Sequence, residues 1–453
     1  MTLAAALLLA LLVANGLKRS VKFLRASLIP TSVLAGLILL SLSTALRPAL
    51  GKPLFDTVLF GENGMSRLEV ITYHMLALGF ISSSFRASGN AFSPKRRKEI
   101  FNTGVTTVSS YLLQGILGLA ITVIAAATFM KDLFPAAGIL LPFGYGQGTG
   151  QALNYGSIYE STYGFTGGRS FGLTIAALGF LSASIGGIIY LYVLKKGGHT
   201  PASEEFAEIF QSHEIQGSEE IPMNGAIDKL TVQLGLVLGA YFLDYLIMLG
   251  LGSVLPGMRA VIYGFNFLFG VIAAVVIKAV LNRLQKGRVI KRQYTNDFLM
   301  TRISNCCFDL MIVAGIAAIR IELLKNYWGI MLILGAVGLI ATFIYNRFVA
   351  RKLFKEYETE QFLVMYGMLT GTASTGIMLL REVDGRFATP AADNLVYQNI
   401  PAMVFGFPMM LLATLAPKQP LLTLLILVAF FAAMNVILFR SFIFRRGPGK
   451  KSE

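Results

Sequence analysis

Two short stretches carry most of the chemistry open to this sequence. Gly144-Tyr145-Gly146-Gln147-Gly148-Thr149-Gly150 and Thr370-Gly371-Thr372-Ala373-Ser374-Thr375-Gly376 set glycines among polar side chains inside otherwise apolar runs. Glycine permits close approach and positive φ, and Thr and Ser bring oxygens to the same place. A helix broken at such a point frees main-chain groups. Half-helix N-termini suit a carboxylate, and released carbonyls suit a hard cation such as sodium. The pattern therefore predicts a site that binds an anion and a cation side by side, with Gly148, Thr149 and Gly150 in one tip and Gly371, Thr372, Ser374 and Thr375 in the other.

Acids in apolar runs form a second group. Asp309 lies in Asn305-Cys306-Cys307-Phe308-Asp309, with Thr301, Arg302 and Ser304 just upstream. An acid at that depth pairs or faces a cavity, so Asp309 is a candidate, with Asn305 one turn away on the same face. The alternative is a structural ion pair or a place near the interface. Asp244 has the same two readings and fewer polar neighbours. His74, in an apolar helix without a second His or Cys at ligand spacing, reads as a packing residue and gives no zinc site. Arg86 and Arg320 close apolar spans, where snorkelling accounts for them. Glu160 and Arg381 stand at matching exits of the two interrupted stretches, as rim charges.

The elements that position these residues must lie in lipid. Of 453 residues 55% are hydrophobic and only 14% charged, with a mean hydropathy of +0.66. That excludes disorder, collagen and a disulfide-stapled secreted fold. The net charge of +15 sits in short bursts between apolar runs rather than on a basic face with stacking aromatics, so nucleic acid is not expected as a partner. The adjacent Cys306 and Cys307 cannot close a useful loop.

Apolar runs long enough to span a bilayer fall near 2–17, 28–46, 67–85, 100–130 and 170–194, then near 227–250, 255–281, 299–320, 326–348, 389–416 and 420–440. The first has no basic n-region or cleavage site and reads as a retained span. Between the sets lies an acidic polar loop, 196–225. The interrupted stretches near 134–159 and 361–381 either cross or return, and loop charge arbitrates. With both re-entrant and the N-terminus outside, the inside collects four positives in 18–25, five in 86–98, six in 278–292, four in 347–355 and five in the tail from Arg440 to Lys451. If only one stretch crossed, a strong basic cluster would land on the wrong face. A pair of short full crossings would preserve parity equally.

The stretches also match each other: a shift of 221 positions pairs Gly146 with Gly367, Thr149 with Thr370, Gly150 with Gly371 and Ala152 with Ala373. Five spans reverse direction, so the fold expected is an all-α membrane protein with an inverted repeat of five transmembrane helices plus one re-entrant hairpin each. The first repeat covers 1–195 and the second 226–417. An extra C-terminal eleventh helix and basic tail fill 418–453. The central loop and C-terminus are expected in the cytoplasm and the chain in the cell inner membrane.

On these residues the chain resembles the bacterial sodium:glutamate symporter family. The similarity runs through Ile29-Pro30, Leu78-Gly79, Arg86 and Gly148-Thr149-Gly150, then Ser304-Asn305, Gly371 to Thr375 and Pro401. It implies a dicarboxylic amino acid imported with sodium as the coupling ion, through hairpins moving in an elevator-like or rocking cycle. Gly148, Thr149, Gly150, Gly371 and Thr375 carry over. Gln147 stands where the family commonly has histidine, Ser374 where it commonly has proline, and the eleventh span exceeds the ten-span plan.

The leading expectation is thus a symporter, not an enzyme, for a small carboxylate with glutamate favoured. Its partners are substrate, sodium, the lipid bilayer and, among those it admits, a second copy in a homodimer. Asp309 and Thr375 are candidates to meet a substrate ammonium. The rival is a carrier of the same architecture for a di- or tricarboxylate lacking an amino group. A channel would need a continuous lined path, which opposed broken elements would block. An aspartyl enzyme built on Asp244 and Asp309 lacks the glycine-flanked setting.

Overall fold

The computed structural model describes residues 1–86, 93–196, 220, 227–256, 259–385 and 388–443. The described residues are helical throughout, without a named strand. Nine of the helices among them are long and apolar enough to cross a bilayer, as a multi-pass membrane protein requires, and a tenth span is available if one bent pair is counted together. Most of the expected 196–225 loop, and the tail beyond 443, lie outside the described residues.

The helices are α1 (Thr2–Ser20), α2 (Lys22–Ala26), α3 (Thr31–Leu50), α4 (Gly64–Ser84), α5 (Pro94–Thr128), α6 (Leu140–Tyr163) and α7 (Gly168–Lys196) in the first half of the chain. The second half adds α8 (Lys229–Val254), α9 (Arg259–Gly264), α10 (Asn266–Lys286), α11 (Asp297–Ala317), α12 (Trp328–Leu353), α13 (Glu358–Thr370), α14 (Ala373–Arg381), α15 (Ala391–Tyr397), α16 (Asn399–Leu415), α17 (Pro420–Leu438) and α18 (Arg440–Ile443). The expected span at 255–281 is divided between α9 and α10. That at 389–416 is the bent pair, α15 and α16, turned by 51°. Pro401 has no N–H to donate to Tyr397 O, so the hydrogen-bond ladder lapses there.

Two compact units emerge, and neither is a sequence half. The first comprises Met1–Asn90, Thr149–Thr174 and Glu204–Lys325; the second comprises Ala91–Gly148, Ile175–Ser203 and Asn326–Glu453.

In the first unit, Ser304 Oγ donates to Gly79 O at 2.9 Å, tying α11 antiparallel to α4. α3 lies parallel to α11, with Ser32 by Asp309 and Gly36 by Ile316. α10 runs parallel to α4: Asn266 donates to Tyr73 O and Lys278 to Arg86 O. The start of α8 is fastened to the start of α11, since Gln233 donates to Tyr294 O at 2.8 Å and accepts from Asn296 N at 3.0 Å. Lys18 reaches Ile29 O at 2.7 Å. These bonds gather Lys18, Arg86, Lys278 and the buried Lys229–Glu220 pair (2.6 Å) at one end of the unit. Between the ends, Ile81, Phe85, Val237, Ala240, Ala273, Ala274 and Met300 form a buried apolar cluster.

In the second unit α12 is antiparallel to α5, with Gln114 on Thr342 and Asn346 on Ser110. α13 runs parallel to α5, from Gln361 on Thr103 to Leu369 O on Gln114. Arg96 with Glu99 (2.6 Å), Arg347 with Glu358 (3.0 Å) and Arg440 on Asn102 (3.1 Å) mark one end of this unit.

Candidate functional site

Both interrupted stretches are helices broken at glycine. α13 ends at Gly371 (φ −142°, ψ −106°), and α14 starts two residues on. α14 lies back against α13 with no side chain between them: a methyl group on Gly367 would sit 2.7 Å from Gly376 Cα, and one on Gly376 would strike Val364 O. Thr372 caps α14, its hydroxyl accepting from Thr375 N at 3.3 Å and lying 3.2 Å from Thr375 Oγ1. Gly371 and Thr375 are buried, while Ala373 and Ser374, in the first turn of α14, are exposed. That turn presents free N–H groups and the Ser374 hydroxyl to whatever occupies the space beyond it.

The other break is Gly148, at φ 80° and ψ −171° inside α6. This conformation belongs essentially to glycine. The arm leading to it packs antiparallel on α5: Gly138 abuts Gly118, and Tyr111 OH donates to Gly146 O at 3.0 Å. Tyr145, fully buried, donates to Gly335 O at 2.6 Å and meets Ser182 Oγ at 2.8 Å.

Two points in the second unit touch both arms. Tyr111 and Gln114, one turn apart on α5, reach Gly146 O and Leu369 O, the second at 3.0 Å. Gly179 of α7 is the other: a methyl group there would lie 2.6 Å from Thr370 O and 3.1 Å from the Tyr145 ring. Gln114 is buried and its Oε1 has no hydrogen-bond partner. Its amide is oriented by Leu369 O, which can only accept, so the free oxygen is the side that faces away from α13. The carbonyls at the C-terminus of α13 make an electronegative locus. The neighbouring start of α14 is electropositive.

In the first unit the remaining part of the Gly148 motif meets α11 and α4. Thr149 is buried, its hydroxyl 3.4 Å from Met311 O; a methyl group on Gly150 would lie 2.6 Å from Leu76 Cδ1 and 2.8 Å from Met311 Sδ. The structure does not bring Asn305 and Asp309 to this contact. Both are exposed on a different face of α11, and Asp309 has Ser32 within hydrogen-bonding reach. Of the expected residues, Gly148, Gly371, Thr372, Ser374 and Thr375 thus belong to one unit, and Thr149, Gly150, Asn305 and Asp309 to the other.

Several polar residues at these sites were not anticipated from the sequence. Tyr111, Gln114 and Thr342 support the arms, and a signal for them existed: Thr103, Thr107, Ser110 and Gln114 repeat at helical spacing along α5, a polar stripe inside a span. In the first unit Arg169 lies 3.2 Å from Glu69 and 3.9 Å from Glu160, with Arg320 3.6 Å from Glu69. Glu160 also accepts from Arg169 N at 3.1 Å. Glu160, expected as a rim charge, and Arg320, expected to snorkel at the end of its span, are therefore members of one ion-pair cluster. No protein-family model matches the chain, and no curated protein matches it in sequence.

Proposed function

We propose that the chain is a sodium-coupled secondary transporter that imports a small carboxylate, glutamate being the first candidate, with both broken helices acting as re-entrant hairpins of an inverted repeat. One observation carries the reading. The arm before Gly148 and the arm before Gly371 run in opposite directions along α5 yet end on the same turn of it, at Tyr111 and Gln114. Opposed half-helices stopping at one level is the arrangement a midplane site needs.

Close packing of α14 back on α13, with Gly376 against Val364 and Gly367, supports the return at Gly371. After Gly148 the chain is antiparallel to α7, Ala152 facing Gly172 and Gly156 facing Gly168. The arm before Gly148 is antiparallel to α5, whereas α13 is parallel to α5 and antiparallel to α7, with Tyr366 on Ser182 and Thr370 on Gly179. Loop charge supports the same reading. In the first unit alone Lys18, Arg86 and Lys278 share an end, and in the second Arg96, Arg347 and Arg440 do, so each unit has one basic end suited to the cytoplasmic face.

In this reading the substrate carboxylate sits at the start of α14, near Thr372 and Ser374, and sodium at the carbonyl end of α13. The tip hydroxyls Thr372, Ser374 and Thr375 bring no negative charge to an ammonium group, which favours as second reading a dicarboxylate without one. The experiment is uptake into proteoliposomes, with glutamate and a four-carbon dicarboxylate under inward sodium, potassium or choline gradients. Saturable, sodium-dependent uptake of either one supports the carrier and chooses the substrate. Single-channel currents, or uptake indifferent to sodium, would refute it.

A further inference from the structure

Asp244 lies in the middle of α8, in the first unit. It is fully buried, and neither carboxyl oxygen has a hydrogen-bond partner. An ionised carboxylate in that state lacks both donor and counter-ion, and the cost in a low-dielectric interior is several kcal/mol. Some positive species must therefore accompany it, and its surroundings say which.

Three other helices pack around it. α4 brings Tyr73 and His74, α9 brings Tyr263, and α10 brings Asn266 and Gly270. α8 itself supplies Tyr241, one turn before Asp244. The nearby main-chain oxygens are already engaged: Tyr263 O accepts from Tyr73 OH at 2.6 Å, and Tyr73 O accepts from Asn266 at 3.3 Å. A methyl group on Gly270 would stand 3.8 Å from Asp244 Oδ2, so the α10 backbone closes that side. A hard metal cation such as calcium or magnesium takes several oxygen ligands, whereas a proton needs one. His74 Nδ1 pairs with Tyr241 OH, one turn before Asp244 on α8, and His74 is only half-buried, which makes this pair the candidate route.

We propose that Asp244 is a proton-binding site, loaded and emptied through the His74–Tyr241 pair. The step is the simple equilibrium of a carboxylate and a proton with the neutral acid; no other bond changes. The site uses none of the residues proposed above for the carboxylate and sodium and does not depend on that reading.

Infrared difference spectroscopy of the full chain in nanodiscs tests this, reading the carbonyl stretch of a protonated carboxylic acid and its shift in D2O. The wild type is expected to show one such band that fades as pH is raised. Asp244→Asn should lack the band while melting at an unchanged temperature, since the amide imitates the neutral acid. Asp244→Glu should move the band without abolishing it, which keeps the test open if the first variant folds poorly. His74→Phe should leave the amplitude intact and slow its loss after a pH jump. The proposal is overturned if the Asn variant keeps the whole band, if the band does not titrate while the protein stays folded, or if sodium added at fixed pH removes it.

Discussion

Replacing Gly179 by alanine sets two measurable effects against each other. Within a regular helix alanine is favoured over glycine by about 1 kcal/mol. Here, however, the new methyl group would sit 2.6 Å from Thr370 O and 3.2 Å from Tyr145 Cα, where ordinary contact begins at 3.4 Å. Both neighbours are main-chain atoms, so α7 must separate from the α13 tip by about 0.8 Å. Overpacking of this kind costs about 1–3 kcal/mol, leaving a net loss of about 0–2 kcal/mol. The displaced tip carries the donors proposed to hold substrate. A hydrogen bond to a charged group is worth about 1.5–3 kcal/mol, so each one spoiled should lower affinity at least about tenfold. The control is Gly239→Ala in α8, where a methyl group meets nothing within 4 Å; it should gain the helix term alone. Both variants are to be melted in detergent and titrated with substrate in sodium. If Gly179→Ala gains stability like the control and binds substrate normally, the contact between α7 and the tip does not govern binding.

Gly148→Ala isolates backbone conformation, because no atom lies within 4 Å of the added methyl group while φ is 80°; it should cost about 1–3 kcal/mol and abolish uptake, and an active variant would refute a fixed break there. Gln114→Leu leaves Leu369 O without its donor and should destabilise by about 1–3 kcal/mol, read by thermal melting, with uptake falling in parallel. Arg169→Ala removes the pair with Glu69 and the Nε bond to Ser157, for about 1–3 kcal/mol. The double variant with Glu69→Gln should lose less than the two single losses combined, and strict additivity would mean the groups do not interact.

The helix breaks were legible in the sequence because glycine clusters with threonine inside an apolar run at both places, whereas glycines that only let straight helices pack closely carry no such polar company. Gly148 and Gly371 are both break points, and the glycines at 367 and 376 are where α13 and α14 touch. Helix facing was less legible. Asn305 and Asp309 were paired correctly on one side of α11, but periodicity alone does not say which side meets a neighbour, and Met311 and Gly315 take that place instead. Asp244, ranked below Asp309 for want of polar neighbours in sequence, is the more deeply buried, because its phenols and imidazole arrive from α4 and α9. The compact units were not legible at all, since a contiguous-segment reading cannot anticipate bodies stitched from both halves.

That stitching bears on how the protein is made. Each body needs chain from beyond residue 325 or up to it, and each also needs chain from before residue 150. Helices inserted early must therefore wait in the bilayer, with seams unfilled, until ribosomal output brings their late companions. A ribosome stalled at mid-message would leave two half-built bodies rather than one finished domain, each a natural target for membrane proteases and insertase chaperones.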